Sequence, residues 1–383
     1  MELSELQEIR RQKAQVLRDR GVQPYPTRTM RSHTSALAIT AFEAEIASGA
    51  EESTTVMTVV GRMVSFRHMG KTVFSHVRDG YGDLQLYIRK DVLGEETYAD
   101  VLKLYDLGDF VQATGTLFRT KTGEVSLRVT DLVMLSKALT APPEKFHGLQ
   151  DIEVRYRQRY ADLIANEDSR RVFLIRSKIV TAIRTFLNSR DYVEVETPVL
   201  QPLYGGAAAR PFTTFHNALQ QTFYLRIADE LYLKRLIVGG FERVYEISKD
   251  FRNEGVDRNH SPEFTMLEFY EAYGDYETIM DLVEQMIFFV TTEALGSPII
   301  RHDGHEIDVT PPWTRITLRQ AIINGCGIDY MEHPTQPELL AAARKAGADV
   351  AGDTVWPRIV DELLKQFVRP FLIEPIFLID YPV

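Results

Sequence analysis

The most constraining feature of this chain is a pair of alternating runs, Arg243 to Glu254 and Phe264 to Glu271, joined by a short charged loop. Side chains alternate across a strand. The second run therefore puts Phe264, Met266, Glu268 and Tyr270 on one face and Thr265, Leu267, Phe269 and Glu271 on the other. The first puts Glu246, Asp250, Arg252 and Glu254 on one face and Tyr245, Ile247, Lys249 and Phe251 on the other. Paired as a hairpin, the runs line one concave surface with Arg252, Glu254, Phe264, Glu268 and Tyr270. The linking loop, Gly255 to Glu263, adds Arg258 and His260.

That collection suits one ligand type. A guanidinium holds a carboxylate or phosphate bidentately. An aromatic face stacks on a flat base, and a carboxylate accepts from an exocyclic amine. Together they fit a nucleoside triphosphate lying beside an amino acid. The competing reading is a charged hairpin facing water, whose ion pairs contribute little. Alternation alone leaves both open.

A chain of 383 residues suits two domains. No apolar run is long enough to span a bilayer, and the N-terminus, MELSELQEIRRQKAQVLRDR, lacks the apolar core of a signal peptide. The single cysteine, Cys326, excludes an internal disulfide and fits a reducing cytoplasm. The net charge of −10 argues against a simple nucleic-acid domain. Binding depends on local patches, however. Residues 1 to 31 hold seven Lys/Arg against four Asp/Glu, in a segment whose helical pattern runs Leu3, Leu6, Ile9, Lys13, Val16, Leu17. It reads either as a basic arm near RNA or as an amphipathic helix packed on its own domain.

From Thr54 to Ser136 the chain reads as short strands rich in β-branched and aromatic residues, with tight turns at Asp79-Gly80, Tyr81-Gly82 and Thr122-Gly123. About five strands and one helix near Glu95 to Leu104 suit an OB-fold barrel. Such barrels stack single-stranded bases on aromatics. Taken by itself, Phe74 reads as barrel core. Pro142 and Pro143 mark a connector over Lys137 to Gln150. Glu167 to Arg190 then repeats apolar residues at helical spacing, and a strand entry ends at Pro198, which suits a sheet edge. The expected fold class is α+β. The expected domains are a helical basic arm over 1–53, a barrel over 54–140 and a second domain over 141–383 built on an antiparallel sheet flanked by helices. His302 and His305, with Asp303 and Glu306, surround Gly304 and read as a surface turn rather than a metal site.

The segment FRNEGVDRNHSPEFTMLEFY resembles motif 2 of the class II aminoacyl-tRNA synthetases, and its wording is similar to that of the lysyl-tRNA synthetases. LYGGAAARPFTTFH, YLRIADELYLKRLIVGGFER and KFHGLQDIEVRYRQRYAD fit the same family in order, so the resemblance runs from about Thr54 to Val383. It implies activation of lysine by ATP and transfer of the lysyl group to tRNA(Lys). It implies that Arg252 is the catalytic residue, bridging the lysine carboxylate and the α-phosphate. Glu254 accepts from the adenine amine, Phe264 stacks on adenine, and Arg258 and His260 reach the outer phosphates. Lysine is held by Gly206, Glu230, Glu268 and Tyr270 with Arg252. Glu230 also suits the helix start at Leu231, where an acid complements the dipole. Phe74, Gln85 and Glu124 fall where the family contacts anticodon bases, which reverses the core reading of Phe74. The helix, strand and Pro198 resemble motif 1, so a homodimer is expected.

Two departures stand out. The family commonly has a basic residue near Phe66, with Arg67 placed to compensate, and it usually has proline at Asp229. Asp is comfortable at a helix start. The family also continues past Val383. The magnesium-binding acids, the glutamate for the lysine ε-ammonium and motif 3 lie in that continuation. The expectation is a chain cut within its catalytic domain, holding no metal ligands of its own and inactive alone in ATP–pyrophosphate exchange. The full-length family member is expected to use Mg2+. The alternative is a non-catalytic truncated paralogue acting as an RNA-binding or regulatory module. The FRNEG and PEFTMLEFYEAY wording argues against relatives specific for aspartate or asparagine.

Overall fold

A computed structural model describes residues 4–50, 52–143, 149–257 and 259–382. The chain divides into two compact units, Met1–Arg170 and Arg171–Val383. Among the described residues, no helix is long and apolar enough to cross a membrane.

The first unit is built on a closed barrel. Its strands are β1 (Met57–Met69), β2 (Thr72–Arg78), β3 (Asp83–Arg89), β4 (Phe110–Arg119) and β5 (Val125–Ser136), in the order β1-β2-β3-β5-β4. β3 and β5 run parallel and the other neighbours antiparallel. Alternation drives the closure: Val73 and Val77 of β2 and Leu86 and Ile88 of β3 point inward and are buried. Strand packing in the barrel demands glycine most sharply at Gly115. A Cβ on Gly115 would lie 2.0 Å from the Arg128 carbonyl oxygen, where the β4–β5 register slips between Thr114 and Gly115. The helix Ser35–Ala47 is capped by the Thr34 hydroxyl, which accepts from Leu37 N, and inserts Ala38 and Phe42 into the barrel's core cluster.

The N-terminal helix, Glu5–Asp19, starts at a capping box made by Ser4 and Gln7. It differs from its sequence pattern. Leu6, Ile9 and Val16 are exposed, while Arg10, Ala14 and Leu17 are buried. The reason is polar. The Arg10 guanidinium donates through Nη1 to the carbonyls of Leu107 (3.0 Å) and Ala138 (2.9 Å), and Lys13 Nζ sits 2.6 Å from Asp106. The helix is therefore packed on its own unit. Lys137, at the start of the expected connector, is likewise fixed: its fully buried ammonium donates to Asp106 (2.6 Å) and Asp109 (2.7 Å).

In the second unit, β6 (Val193–Glu194), β7 (Leu200–Gln201), β8 (Thr213–His216), β9 (Gln221–Leu225), β10 (Arg243–Phe251) and β11 (Glu263–Glu271) form two small sheets. Their orders are β11-β10-β6 and β7-β9-β8. β6 is an edge strand, and Pro198 follows it. Tyr245 of β10 is fully buried among Ala182, Phe186 and Leu187 of the helix Glu167–Asn188 and Leu282, Met286 and Val290 of the helix Tyr276–Leu295. β12 (Ile299–His302) and β13 (His305–Asp308) make an exposed hairpin whose turn is Asp303-Gly304, with φ of 47° and 83°. The parallel pair β14 (Thr314–Thr317) and β15 (Ile376–Ile379) and three helices between them enclose a separate apolar core.

Candidate functional site

The register of β10 and β11 settles which side chains share a face. Asp250 lies opposite Phe264, Ser248 opposite Met266, Glu246 opposite Glu268 and Val244 opposite Tyr270. Opposed residues project to the same side of an antiparallel pair. The strand β10 ends at Phe251, three residues earlier than its alternation suggests. Arg252 and Glu254 thus sit just past the strand. The chain leaves the ladder because Asn253 N donates 2.7 Å to the Arg210 carbonyl rather than back to the hairpin. Arg252 still turns inward. Its guanidinium carbon lies 5.1 Å from the Phe264 ring centroid, and its Nε and Nη2 donate to the Ile227 carbonyl at 3.4 Å.

Glu254 is exposed. His260 is held by the Asp257 carboxylate, 2.8 Å from its Nδ1, and Asp257 also accepts from the backbone N of Asn259 and His260. The loop imidazole is thereby oriented before any ligand arrives. Arg258 lies outside the described residues.

Glu230 opens the helix Glu230–Val238, and its Oε1 accepts from Lys234 Nζ at 2.7 Å, one turn on. Gly206 presses against it. At φ 88°, a Cβ on Gly206 would lie 2.8 Å from Glu230 Cβ and 3.1 Å from Ala228 Cβ, so only glycine fits there. Glu268 Oε1 accepts from Asp229 N at 3.2 Å, and the Tyr270 hydroxyl is 3.5 Å from Glu268 Oε2. Burial, then the neighbouring Glu268 and Glu230 charges, raises the Tyr270 phenol above its ordinary range. Burial also raises Glu268, with Asp229 and Glu230 adding to it.

The sequence did not reveal what lies behind these groups. Asp229 makes no helix cap with its side chain. Its carboxylate is fully buried instead, accepting from Ser248 Oγ at 2.6 Å. Asp250 is also fully buried and accepts from the same hydroxyl at 3.1 Å. A single buried cation, Arg226, serves three acids. Its Nη1 lies 2.6 Å from Glu246 and 3.1 Å from Asp229, and its Nε lies 3.4 Å from Asp250. Glu246 Oε2 also accepts from the Thr197 hydroxyl at 2.7 Å, tying the segment after β6 to the hairpin. Asp229 Oδ1 and Asp250 Oδ2 have no hydrogen-bond partner among the described residues. Burial pushes Asp229 up to about 6. The Asp250 and Glu246 charges add to this, and the Ser248 hydroxyl and Arg226 oppose it. Burial raises Asp250 as well. The floor of the cleft is therefore short of positive charge. An ammonium reaching Glu268 would relieve that shortage.

Asp229, Asp250 and Glu268 bring ligand oxygens within 4.8 Å of one another. Magnesium needs a near-octahedral oxygen shell and keeps several waters. Here two of the three acids are fully buried and already face the Arg226 guanidinium, so the group does not suit magnesium.

On the barrel, Phe74 is half-buried on the outer face, while its neighbours Val73 and Ser75 point inward. Its ring lies 5.1 Å from Tyr87, which lies 5.3 Å from Phe118. Arg67 sits over Phe74 at 5.5 Å and Arg128 over Phe118 at 4.7 Å. Gln85 shares this face through its register with His76, yet it is buried beneath Glu124. Its Nε2 donates to Glu124 at 2.6 Å and its Oε1 accepts from Ser126 at 2.7 Å. His76 Nε2 stands 2.7 Å from the same Glu124. Tyr87, Phe118 and Arg128 were missed in the sequence. Their placement at alternate positions of β3, β4 and β5 was the available signal.

Two family models match the chain. One, OB-fold nucleic acid binding domain, covers residues 57–135. The other, tRNA synthetases class II (D, K and N), covers residues 151–383. The chain is 50% identical to a lysine–tRNA ligase of Chloroflexus aurantiacus over 384 residues, covering 100% of this chain and 77% of that protein. It is 49% identical to a lysine–tRNA ligase of Dehalococcoides mccartyi, covering 97% of this chain and 74% of that protein. A lysine–tRNA ligase of Staphylococcus haemolyticus is 45% identical, with 100% of this chain and 77% of that protein covered. With an OB-fold barrel ahead of a matched catalytic region, this chain belongs to the class II tRNA synthetases (D, K and N).

Proposed function

We propose that the chain supplies the lysine, ATP and anticodon contacts of a lysine–tRNA ligase. A lysine carboxylate oxygen attacks the α-phosphorus of ATP, the bond to the bridging oxygen breaks, and pyrophosphate leaves. The terminal ribose 3′-hydroxyl of tRNA(Lys) then takes the lysyl group from the adenylate, releasing AMP. Such chemistry asks the protein mainly to position groups and neutralise charge. The carrying observation is the Arg252 guanidinium over Phe264 on a face shared with Glu268.

In this reading Arg252 bridges the carboxylate and the α-phosphate, lowering repulsion between two anions. Phe264 stacks on adenine, Glu254 accepts its amine, and His260 and Arg258 meet the outer phosphates. Glu230 and Glu268 take the α-ammonium against the Gly206 wall, and Tyr270 faces the side-chain ammonium. The buried excess of acids around Arg226 favours a substrate with two positive charges over aspartate or asparagine. The Phe74–Tyr87–Phe118 row, flanked by Arg67 and Arg128, supports base stacking by the anticodon, with Gln85 and Glu124 as polar partners. Mg2+ accompanies ATP. The protein works in the cytoplasm as a homodimer, a reading supported by exposed Val172, Leu174 and Val193 in the segment resembling motif 1.

Calorimetric titration tests the substrate. Lysine should bind well, norleucine at least tenfold more weakly because it lacks the ε-ammonium, and aspartate and asparagine not at all. Equal binding of norleucine, or preference for aspartate, would overturn the assignment.

A further inference from the structure

Two cavities lie side by side in the first unit, away from the aromatic row. One, of about 530 Å³, is lined by Arg10, Arg62 and Arg78 together with apolar Val64, Leu107 and Ile164. No carboxylate lines it among the described residues. The other, of about 390 Å³, shares Arg62, Val64 and Arg78 and adds Arg31 and Arg170. Its one acid among the described residues is Asp79, whose oxygens accept from the backbone N of Ser35, Tyr81 and Gly82. Five arginines thus gather along one path on a chain whose net charge is −10.

The arrangement carries an unresolved tension. Arg62 on β1 lies directly opposite Arg78 on β2. Like charges at that spacing repel. Arg78 is relieved by Asp83, at 2.6 Å, and by Glu167, at 3.4 Å. Arg62 has no carboxylate among the described residues. It lies over the Phe110 ring at 4.3 Å and donates to the Gly108 carbonyl at 3.0 Å. Burial lowers its guanidinium from the ordinary range, the sign of a cation short of counter-charge. Arg10, which also lines the first cavity, is buried with its Nε unpartnered among the described residues. A buried donor without an acceptor is costly.

We propose that these joined cavities bind an oligophosphate anion, with Arg62 as its principal ligand. Guanidinium forks match phosphate oxygens bidentately. Several guanidinium charges strung through two cavities, with Arg62 lacking a carboxylate among the described residues, suit a chain of phosphates better than one carboxylate. The volume lies in the range of small-molecule sites. Bound phosphate would give Arg62 the counter-charge it lacks among the described residues and stabilise the barrel unit by linkage. The site is independent of the Arg252 cleft and does not rest on the ligase assignment.

The test is calorimetric titration of the whole chain with inorganic tripolyphosphate. Binding should persist in Arg252→Ala, weaken about tenfold or more in Arg62→Gln, and recover in part in Arg62→Lys. Inorganic phosphate should bind more weakly than tripolyphosphate. Circular dichroism and thermal melting establish that the variants are folded. If Arg62→Gln fails to fold, Arg31→Gln, at an exposed position, should weaken binding severalfold instead. Binding that Arg252→Ala abolishes, or that Arg62→Gln and Arg31→Gln leave intact, overturns the proposal. So does failure of tripolyphosphate to bind while duplex RNA binds in an Arg62-dependent way. The surface would then be an RNA-backbone contact.

Discussion

Replacing Asp229 by asparagine should stabilise the second unit at neutral pH. In the fold its carboxyl is raised from the ordinary 3.8 to about 6, chiefly by burial. The folded chain therefore holds this proton more tightly than the unfolded chain does. That contribution to stability is fully present below pH 3.8 and is lost as the pH rises through about 6. The rise is worth on the order of 1–3 kcal/mol at 1.4 kcal/mol per pH unit. Asparagine keeps an acceptor for Ser248 Oγ, and Arg226 keeps Glu246 and Asp250. Both tryptophans, Trp313 and Trp356, lie in the second unit, so urea unfolding followed by tryptophan fluorescence reports on the right part of the molecule. Asp229→Asn should match the parent at pH 4 and exceed it by about 1–3 kcal/mol at pH 8. A variant less stable than the parent at pH 8, or one with an unchanged pH dependence, would show that the Asp229–Arg226 ion pair outweighs burial.

Three further outcomes follow from the geometry. Glu268→Gln should weaken lysine binding about tenfold or more while leaving ATP binding within a few-fold, read by titration of each ligand. Phe74→Ala should weaken binding of a tRNA(Lys) anticodon stem-loop by about 1–3 kcal/mol without loss of strand content by circular dichroism, because the ring lies outside the core. Gly115→Ala should destabilise the barrel by more than about 2 kcal/mol, since its Cβ would meet the Arg128 carbonyl oxygen at 2.0 Å. A thermal melt within a degree of the parent would contradict that.

The hairpin was legible because a period of two is local. Glu246, Asp250, Phe264, Glu268 and Tyr270 share a face in the sequence and in the register of β10 with β11. The barrel was legible for the same reason. Asp229 was not. Its burial depends on Arg226, whose partners Glu246 and Asp250 lie on a strand reached only after a helix and a turn. The N-terminal helix misled because apolar spacing cannot foresee that Arg10 will bury itself to reach the Leu107 and Ala138 carbonyls. The cation shared by buried acids and the arginines of the barrel cavities are products of tertiary contact, and no short window of sequence contains them.

The convergence of Arg252, Phe264 and Glu268 is tested most directly by calorimetry with a lysyl-sulfamoyl-adenosine, a stable analogue of the adenylate that joins both substrates. The expected result is one-to-one binding at least a thousandfold tighter than ATP or lysine alone, falling about a hundredfold or more in Arg252→Ala. An analogue that binds no tighter than lysine, or that ignores Arg252→Ala, would show that the two substrates do not meet in this cleft.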